Sequence, residues 1–525
     1  MMRNGQTRRD FLRMIGCGAA GLAVGGCSSA GAVAAGRESV MRKPNIVYIL
    51  CDDLGYGDIA CLNERCRIPT PNVDALARDG MTFTDAHSGS AVCTPTRYGI
   101  LTGRYCWRST LKSGVLWGYS PPLIPRERLT VASLLKNNGY ATACVGKWHL
   151  GLGWATTDGG EIKDGNVDYS KRIAGGPTDL GFDYFFGIPA SLDMIPYVYI
   201  ENDRVVAAPT ETIEGRGDKE FYRGGPCAPG FVHEETLPVL TQKAVSCIDR
   251  HAASGSDKPL FLYFPLSAPH APILPTREFR GKSSAGQYGD FVNQVDWTVG
   301  EVMRAIERNG MTQDTLFVFT SDNGCSPVAN FPELEAMGHY PSQRFRGHKA
   351  DIFEGGHRIP FICRWPERIK ASSSCADTVC LTDLMATAAD IAGARLPDNA
   401  GEDSVSILPD LAGIAKEPLR EATVHHSIDG RFSIRQGKWK LELCAGSGGW
   451  SKPKDKQAQE LGLPPIQLYD MSADDSEKTN LQDRYPGVVE RMTKLMQKYV
   501  DDGRSTPGAP QTNEGETNIW GPQGG

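Results

Sequence analysis

Five near-continuous apolar runs constrain this chain most: Asn45–Leu50, Thr142–Val145, Leu260–Leu266, Leu316–Thr320 and Phe361–Arg364. Each has the length of a strand and lacks polar alternation, the pattern of strands buried on both faces. Helical spacings fall between them, over Asn72–Asp79, Leu129–Asn137, Thr236–His251 and Tyr288–Asn309. Strands alternating with helices predict an α/β fold, a mostly parallel sheet with helices on both faces. Ionisable or amide side chains follow most of these runs at once: Asp52-Asp53, Lys147 with His149, His270, and Asp322-Asn323. Open α/β sheets bind ligands beyond the carboxyl ends of their strands, so these groups mark one site.

The rest of the chain divides around that core. Residues 381–412 read as helix and loop closing a first domain, 44–415. A small α+β domain over 416–500 follows, with a hairpin (Phe432–Arg435 and Lys438–Leu443, joined at Gln436-Gly437), a short strand Ile466–Tyr469 and a helix Gly487–Tyr499. The tail 501–525 reads as loose. At the other end, Thr7-Arg8-Arg9-Asp10-Phe11-Leu12 resembles a twin-arginine export signature. The short apolar stretch after it ends in Val24-Gly25-Gly26-Cys27-Ser28, which resembles a lipoprotein cleavage box. Residues 1–26 are thus expected to be a signal, Cys27 a lipid anchor and 27–43 a flexible tether. Those features predict delivery by the twin-arginine (Tat) machinery to the periplasm or cell envelope, with membrane contact only through that lipid. No run of 18 apolar residues offers a spanning helix. A net charge of −6 excludes a duplex-coating polycation, so no nucleic-acid partner is expected. The 15 Cys are too sparse for a disulfide scaffold, and only the close pair Cys61 and Cys66 suggests a bridge.

The most informative stretch is Cys93-Thr94-Pro95-Thr96-Arg97, running into Leu101-Thr102-Gly103-Arg104. Pro95 suits the first turn of a helix that begins at Cys93, where a missing N–H costs nothing. The free amides and positive dipole end of such a helix suit a tetrahedral anion. The motif resembles the signature of the formylglycine-dependent sulfatases, and other features of that family follow in order. Asp52-Asp53 and Asp322-Asn323 resemble its metal site; with Cys93 they imply oxygen ligation of Ca²⁺, with Mg²⁺ open. Gly146-Lys147-Trp148-His149-Leu150-Gly151 resembles its second signature, and on an extended segment Lys147 and His149 share one face. Lys349 matches its second lysine, and His270 stands in Ala268-Pro269-His270-Ala271-Pro272. The resemblance spans about residues 43–500 and implies an alkaline-phosphatase-like fold.

By that resemblance a maturation enzyme converts Cys93 to formylglycine, whose hydrate attacks sulfur. Arg97, Lys147 and Lys349 stabilise the sulfate oxygens, and His270 with Lys349 protonates the leaving alcohol. His149 then takes the proton that lets sulfate leave. The implied substrate is a sulfated carbohydrate, with galactose or N-acetylgalactosamine 6-sulfate leading, and Asp193, His339 and Arg346 are candidate sugar contacts. Of the other histidines, His87 reads as structural, His348 as a neighbour of the site, and His425-His426 as surface ahead of substrate contact. Two rivals stand beside this reading. A phosphate or phosphonate ester hydrolase of the same superfamily normally adds histidine ligands for a second metal, where this chain has Asp322-Asn323. A glycan-binding lipoprotein with a dead site would not need the complete catalytic set.

Overall fold

A computed structural model describes residues 43–521. The twin-arginine run, Cys27 and all of the tether except Lys43 lie outside the described residues. The principal sheet has ten strands: β1 (Asn45–Asp52), β2 (Met81–Phe83), β3 (Ala141–Lys147), β4 (Tyr184–Ile188), β5 (Ile200–Glu201), β6 (Arg204–Val205), β7 (Leu260–Pro269), β8 (Thr315–Ser321), β9 (Phe361–Arg364) and β10 (Ser373–Cys375). Their order is β10-β2-β9-β8-β1-β7-β3-β4-β5-β6. The centre, β8-β1-β7-β3-β4, is parallel. β9 runs antiparallel to both β8 and β2, so the last of the predicted apolar runs lies outside the parallel core. β4 also belongs to that core, although Tyr-Phe-Phe-Gly-Ile is too short and glycine-broken to stand out in the sequence.

Side chains of β1 alternate between two cores. Ile46, Tyr48 and Leu50 face the layer holding α2 (Cys93–Thr102), α3 (Val131–Asn137) and α6 (Leu384–Ala392). Val47, Ile49 and Cys51 face α1 (Pro71–Arg78), α4 (Thr236–Ala253) and α5 (Gly286–Arg308). A second, antiparallel sheet of four strands follows: β11 (Thr423–His426), β12 (Phe432–Gln436), β13 (Trp439–Glu442) and β14 (Gln467–Asp470), covered by α7 (Pro486–Asp501). Its core includes Tyr105, Trp107 and Cys380 from the first domain, so 43–521 pack as one compact unit.

The tail is not loose through residue 521. Arg104 and Arg108 are buried guanidiniums that need acceptors. Arg104 donates to the Thr512 carbonyl at 2.8 Å, Arg108 to Asn513 Oδ1 at 3.0 Å, and Glu514 N returns to the Arg108 carbonyl at 2.7 Å. Ile519 is buried as well. The Leu-Thr-Gly-Arg part of the motif therefore anchors the carboxyl end, while Arg104 also meets Glu402 at 3.3 Å. Cys61 and Cys66 are free thiols; the Cys66 thiol turns to the carbonyls of Asp58 and Ile68.

One glycine fixes how β3 meets its neighbour. Gly146 has φ +133°, and a Cβ there would lie 1.8 Å from the Pro265 carbonyl oxygen. That backbone contact cannot yield, and an L side chain rarely adopts this φ. Gly146→Ala is expected to destabilise the fold by about 3 kcal/mol or more and to displace Lys147. Urea unfolding reads the first effect; a change within 1 kcal/mol would refute the packing argument.

Candidate active site

Parallel pairing brings the carboxyl ends of β1, β3, β7 and β8 together: Cys51 pairs with Ser321, and Asp52 with Pro269. Asp52-Asp53, Lys147, His270 and Asp322-Asn323 therefore converge. Cys93 enters from the first residue of α2, which is buried along its whole length. Its N-cap, Val92, has no side-chain acceptor, so the helix start keeps donors free for a ligand. Gly103 closes α2 in the left-handed region at φ +63°.

The charges interlock. Lys147 Nζ donates to Asp52 Oδ2 at 2.7 Å and to Ser191 Oγ at 3.1 Å. Lys349 Nζ bridges both oxygens of Asp53, at 2.7 and 2.8 Å. Arg97 Nη2 donates to Asp322 Oδ2 at 2.7 Å and lies 3.4 Å from Asp52 Oδ1. Asn323 Nδ2 donates to Asp53 Oδ1 at 2.7 Å. His270 Nε2 stands 3.6 Å from Asp53 Oδ2. All of these groups except His270 and Lys349 are essentially without solvent contact. Burial raises the Asp52 carboxyl, but Lys147, His270 and Arg97 outweigh it and hold it well below the usual range. Burial and the neighbouring Asp52 raise Asp322 to about 6. For Lys349, burial opposes the charge and Asp53 overcomes it, leaving the ammonium above its ordinary range. Burial also pushes the unmodified Cys93 thiol up, so it is a poor nucleophile as it stands.

The donor set fits a hard cation. Among the described residues, Asp52 Oδ1, 3.4 Å from Arg97, and Asn323 Oδ1 are buried with no hydrogen-bond partner, which is costly unless something else meets them. Ligand atoms of Asp52, Cys93 and Asp322 lie within 4.8 Å of one another, as do those of Asp52, Asp53 and His270. Carboxylates and an amide oxygen are the ligands Ca²⁺ takes.

The structure corrects the geometry expected for His149. It is not on an extended segment: its φ is +56°, so it does not share a strand face with Lys147. Thr94 Oγ1 donates to the His149 carbonyl at 3.1 Å, tying the turn to α2. His149 Nε2 meets the Leu116 carbonyl at 2.7 Å, which requires the proton on Nε2 and leaves Nδ1 a buried lone pair with no partner among the described residues. Burial, with Lys147 and Arg97 close by, pushes this imidazole well below its ordinary range. Asp53 and Ala350 also have left-handed φ, at +66° and +81°. Three such non-glycine residues at or beside the converging groups place local backbone strain at this site.

The sugar contacts divide. Asp193 lies at the site: it pairs with Arg223, and His270 and Lys147 help lower its carboxyl against the effect of burial. His339 is a correction, because it is fully buried with Nε2 2.8 Å from Asp58 Oδ1 and Nδ1 accepting from Arg67 N. It braces the loop after β1 and has no face for a sugar. Arg346 is a second correction: it stacks on Phe353 and donates to Tyr469 Oη at 3.2 Å and the Glu477 carbonyl at 3.1 Å, joining the two sheets. His425 and His426 are buried, contrary to the surface expected for them. His348 spends its nitrogens on the Lys349 carbonyl and Ser451.

Sequence reasoning puts Ser191 only in a stretch, Ser191–Tyr197, long enough to line a sugar pocket, and misses Arg223. Ser191 Oγ lies between Lys147 Nζ and His270 Nε2, 3.4 Å from the latter. It follows β4, the unrecognised strand, and the same strand-end rule would have marked it. Arg223, paired with Asp193, lies over the rings of Phe221 and of Trp117, which is half exposed.

Comparison with known proteins agrees with this geometry. Residues 44–394 match the family model described as Sulfatase. An N-acetylgalactosamine-6-O-sulfatase of Bacteroides thetaiotaomicron is 35% identical over 505 residues, covering 87% of this chain and 93% of that protein. Human arylsulfatase A is 32% identical over 505 residues, covering 92% and 93% respectively. A solved Bacteroides thetaiotaomicron structure, titled for the metabolism of multiple glycosaminoglycans, superposes with a TM-score of 0.75 at 34% identity. That match covers 87% of this chain and 99% of the other.

Proposed function

The chain belongs to the sulfatase family and is a sulfuric ester hydrolase, and from that premise we propose that it removes 6-sulfate from galactose or N-acetylgalactosamine units of carbohydrates, using formylglycine at residue 93 and bound Ca²⁺. The observation that carries the chemistry is the junction of Cys93, at an uncapped helix start, with three buried carboxylates and two lysines. Supporting the sugar assignment is the relative named for N-acetylgalactosamine 6-sulfate, similar over 87% of this chain. The resemblance of residues 7–12 to a twin-arginine signature, and of Val24–Ser28 to a lipoprotein cleavage box, supports a place in the periplasm or cell envelope, with a maturation enzyme acting on Cys93 beforehand.

Oxidation of Cys93 would supply a hydrated aldehyde, an oxygen nucleophile with a second hydroxyl for release. Asp52, Asp53, Asp322 and Asn323 would hold Ca²⁺, which supplies positive charge against the sulfate oxygens. The remaining work falls to this chain's own groups. Arg97 orients Asp322 through its bond to Oδ2. Lys147 and Lys349 place two ammonium groups where negative charge gathers in the transition state. His270 Nδ1 sits 2.6 Å from the Ala271 carbonyl and so carries a proton there; Nε2, beside Ser191 and Asp53, exchanges one with the leaving oxygen. His149 Nδ1, the free lone pair opposite the Leu116-bound Nε2, accepts the proton released as sulfate departs.

The test is sulfate release from a panel of singly sulfated sugars, with conversion at residue 93 verified by mass spectrometry. Release from 6-sulfated galacto sugars is expected. Release only from another position would reject the substrate assignment, and turnover of phosphate or phosphonate esters in its place would favour the rival hydrolase. Separately, EGTA is expected to cut turnover by about 100-fold or more, with Ca²⁺ alone restoring it. Full activity in the chelated enzyme would remove the metal from this mechanism.

A further inference from the structure

A cluster the reaction does not use lies just upstream of Cys93. His87, His357 and His425 have no solvent contact and come from three separate elements: the short strand Ala86–His87, the helical turn Glu354–His357 and β11. The rings of His357 and His425 stack at 3.9 Å, and that of His87 lies 4.8 Å from that of His425. One nitrogen from each ring lies within 4.8 Å of the other two.

The hydrogen-bond partners favour one placement of the protons. His87 Nε2 faces Asp85 Oδ1 at 2.8 Å, with Arg358 Nη1, itself paired with Asp85 and Glu354, farther off at 3.4 Å; His357 Nε2 faces the Ile352 carbonyl at 3.0 Å, and both oxygens accept. Lys440 Nζ, 3.1 Å from His357 Nε2, is itself claimed by Glu477 at 2.5 Å, the Ile352 carbonyl at 3.0 Å and Glu354 at 3.2 Å. With both protons on Nε2, the arrangement these acceptors favour, the two Nδ1 lone pairs face each other at 3.0 Å. His425 Nδ1 contacts Ser433 Oγ at 3.1 Å, while its Nε2 has no hydrogen-bond partner among the described residues. Two opposed lone pairs and an orphaned nitrogen in a dry interior call for a cation. An added proton is disfavoured, because burial and the nearby cations push all three imidazoles down. Outer nitrogens tied to a carboxylate, a carbonyl and a hydroxyl are the supports that orient metal-bound histidines.

We propose that His87, His357 and His425 form a second metal site, taking one zinc-type divalent cation through three neutral imidazoles. Nitrogen ligands suit Zn²⁺ and not the hard cation expected among the carboxylates. Tetrahedral zinc holds its nitrogens about 3.4 Å apart, a small adjustment from the spacing present. The three rings leave the fourth position of a tetrahedral site to water. A cleft lined by Asp85, Thr378, Thr423 and Arg435 reaches Asp85, the carboxylate bonded to His87. The ion would tie β11 to the loop that carries Cys93: Ser88 N donates to the His357 carbonyl, and Ala91 N and Ser90 Oγ donate to that of His426, each at 2.9 Å.

The test uses the whole folded enzyme, incubated with ZnCl₂ and then exchanged into buffer with excess Ca²⁺ to occupy the carboxylates. Elemental analysis is expected to find one zinc per chain, and anomalous diffraction at the zinc edge to place it among the three rings. His425→Gln is expected to weaken zinc binding 10- to 100-fold, whereas Asp322→Asn retains it. Zinc is also expected to raise the melting temperature of the wild type, a readout that needs no variant to fold. Zinc absent from the folded wild type, zinc found only at the carboxylates, or zinc kept equally by His425→Gln would each overturn the proposal.

Discussion

Cys93→Ala and Cys93→Ser are expected to lose sulfate turnover by about 10⁴-fold or more, the scale seen when a nucleophile is deleted. Both should keep the fold, because a side chain of similar or smaller size is set at a helix start whose backbone stays intact. The two substitutions separate parts of the mechanism. Alanine has no attacking oxygen. Serine has one hydroxyl, so it can at most react once and has no second hydroxyl through which to release sulfate. Stopped-flow measurement should therefore find no burst with alanine, and at most one equivalent of alcohol released with serine, without further turnover. Multiple turnovers by Cys93→Ser would mean that water attacks the sulfur and that the formylglycine mechanism is wrong. Unconverted wild-type thiol is expected to be as inactive as serine in the steady state, since burial holds the Cys93 thiol protonated.

Much of the site was legible because a parallel sheet translates sequence into position. A strand buried on both faces reads as an apolar run, and the residue after it lands at the binding edge; Asp52, Lys147, His270 and Asp322 were found that way. β4 escaped because its run is short and holds a glycine, and the place of Ser191 at a strand end escaped with it. What periodicity cannot carry is the pairing of polar groups distant in sequence. His339 reads as a candidate sugar contact, but its partner Asp58 lies 281 positions away. Arg346 likewise gave no sign of bracing the second sheet, and a polar, proline-bearing tail gave no sign that Arg104 and Arg108 require it. The left-handed turn at His149 depends on Thr94 and Leu116, which meet it only in three dimensions.

Lys349→Met is expected to lower kcat by about 10³-fold, the scale of removing a fixed charge from a dry site. Lys349 Nζ spans both Asp53 oxygens, so deletion also leaves a buried carboxylate with only Asn323 Nδ2 and the more distant His270. Breaking such a pair costs about 3–5 kcal/mol of stability. If Asp53 is a Ca²⁺ ligand, saturating Ca²⁺ should recover part of that loss, so the drop in melting temperature should shrink as Ca²⁺ is raised. Lys349→Arg keeps the charge but replaces a compact ammonium with a planar fork, and should fall between wild type and methionine. Comparing leaving groups then decides what the lysine does. A proton donor matters most when the departing oxygen is basic, so a sugar sulfate should suffer far more than 4-nitrophenyl sulfate, whose phenolate leaves unaided. An equal loss on both would assign Lys349 to charge stabilisation alone and leave proton delivery to His270. Activity within tenfold of wild type on the sugar would remove Lys349 from both roles.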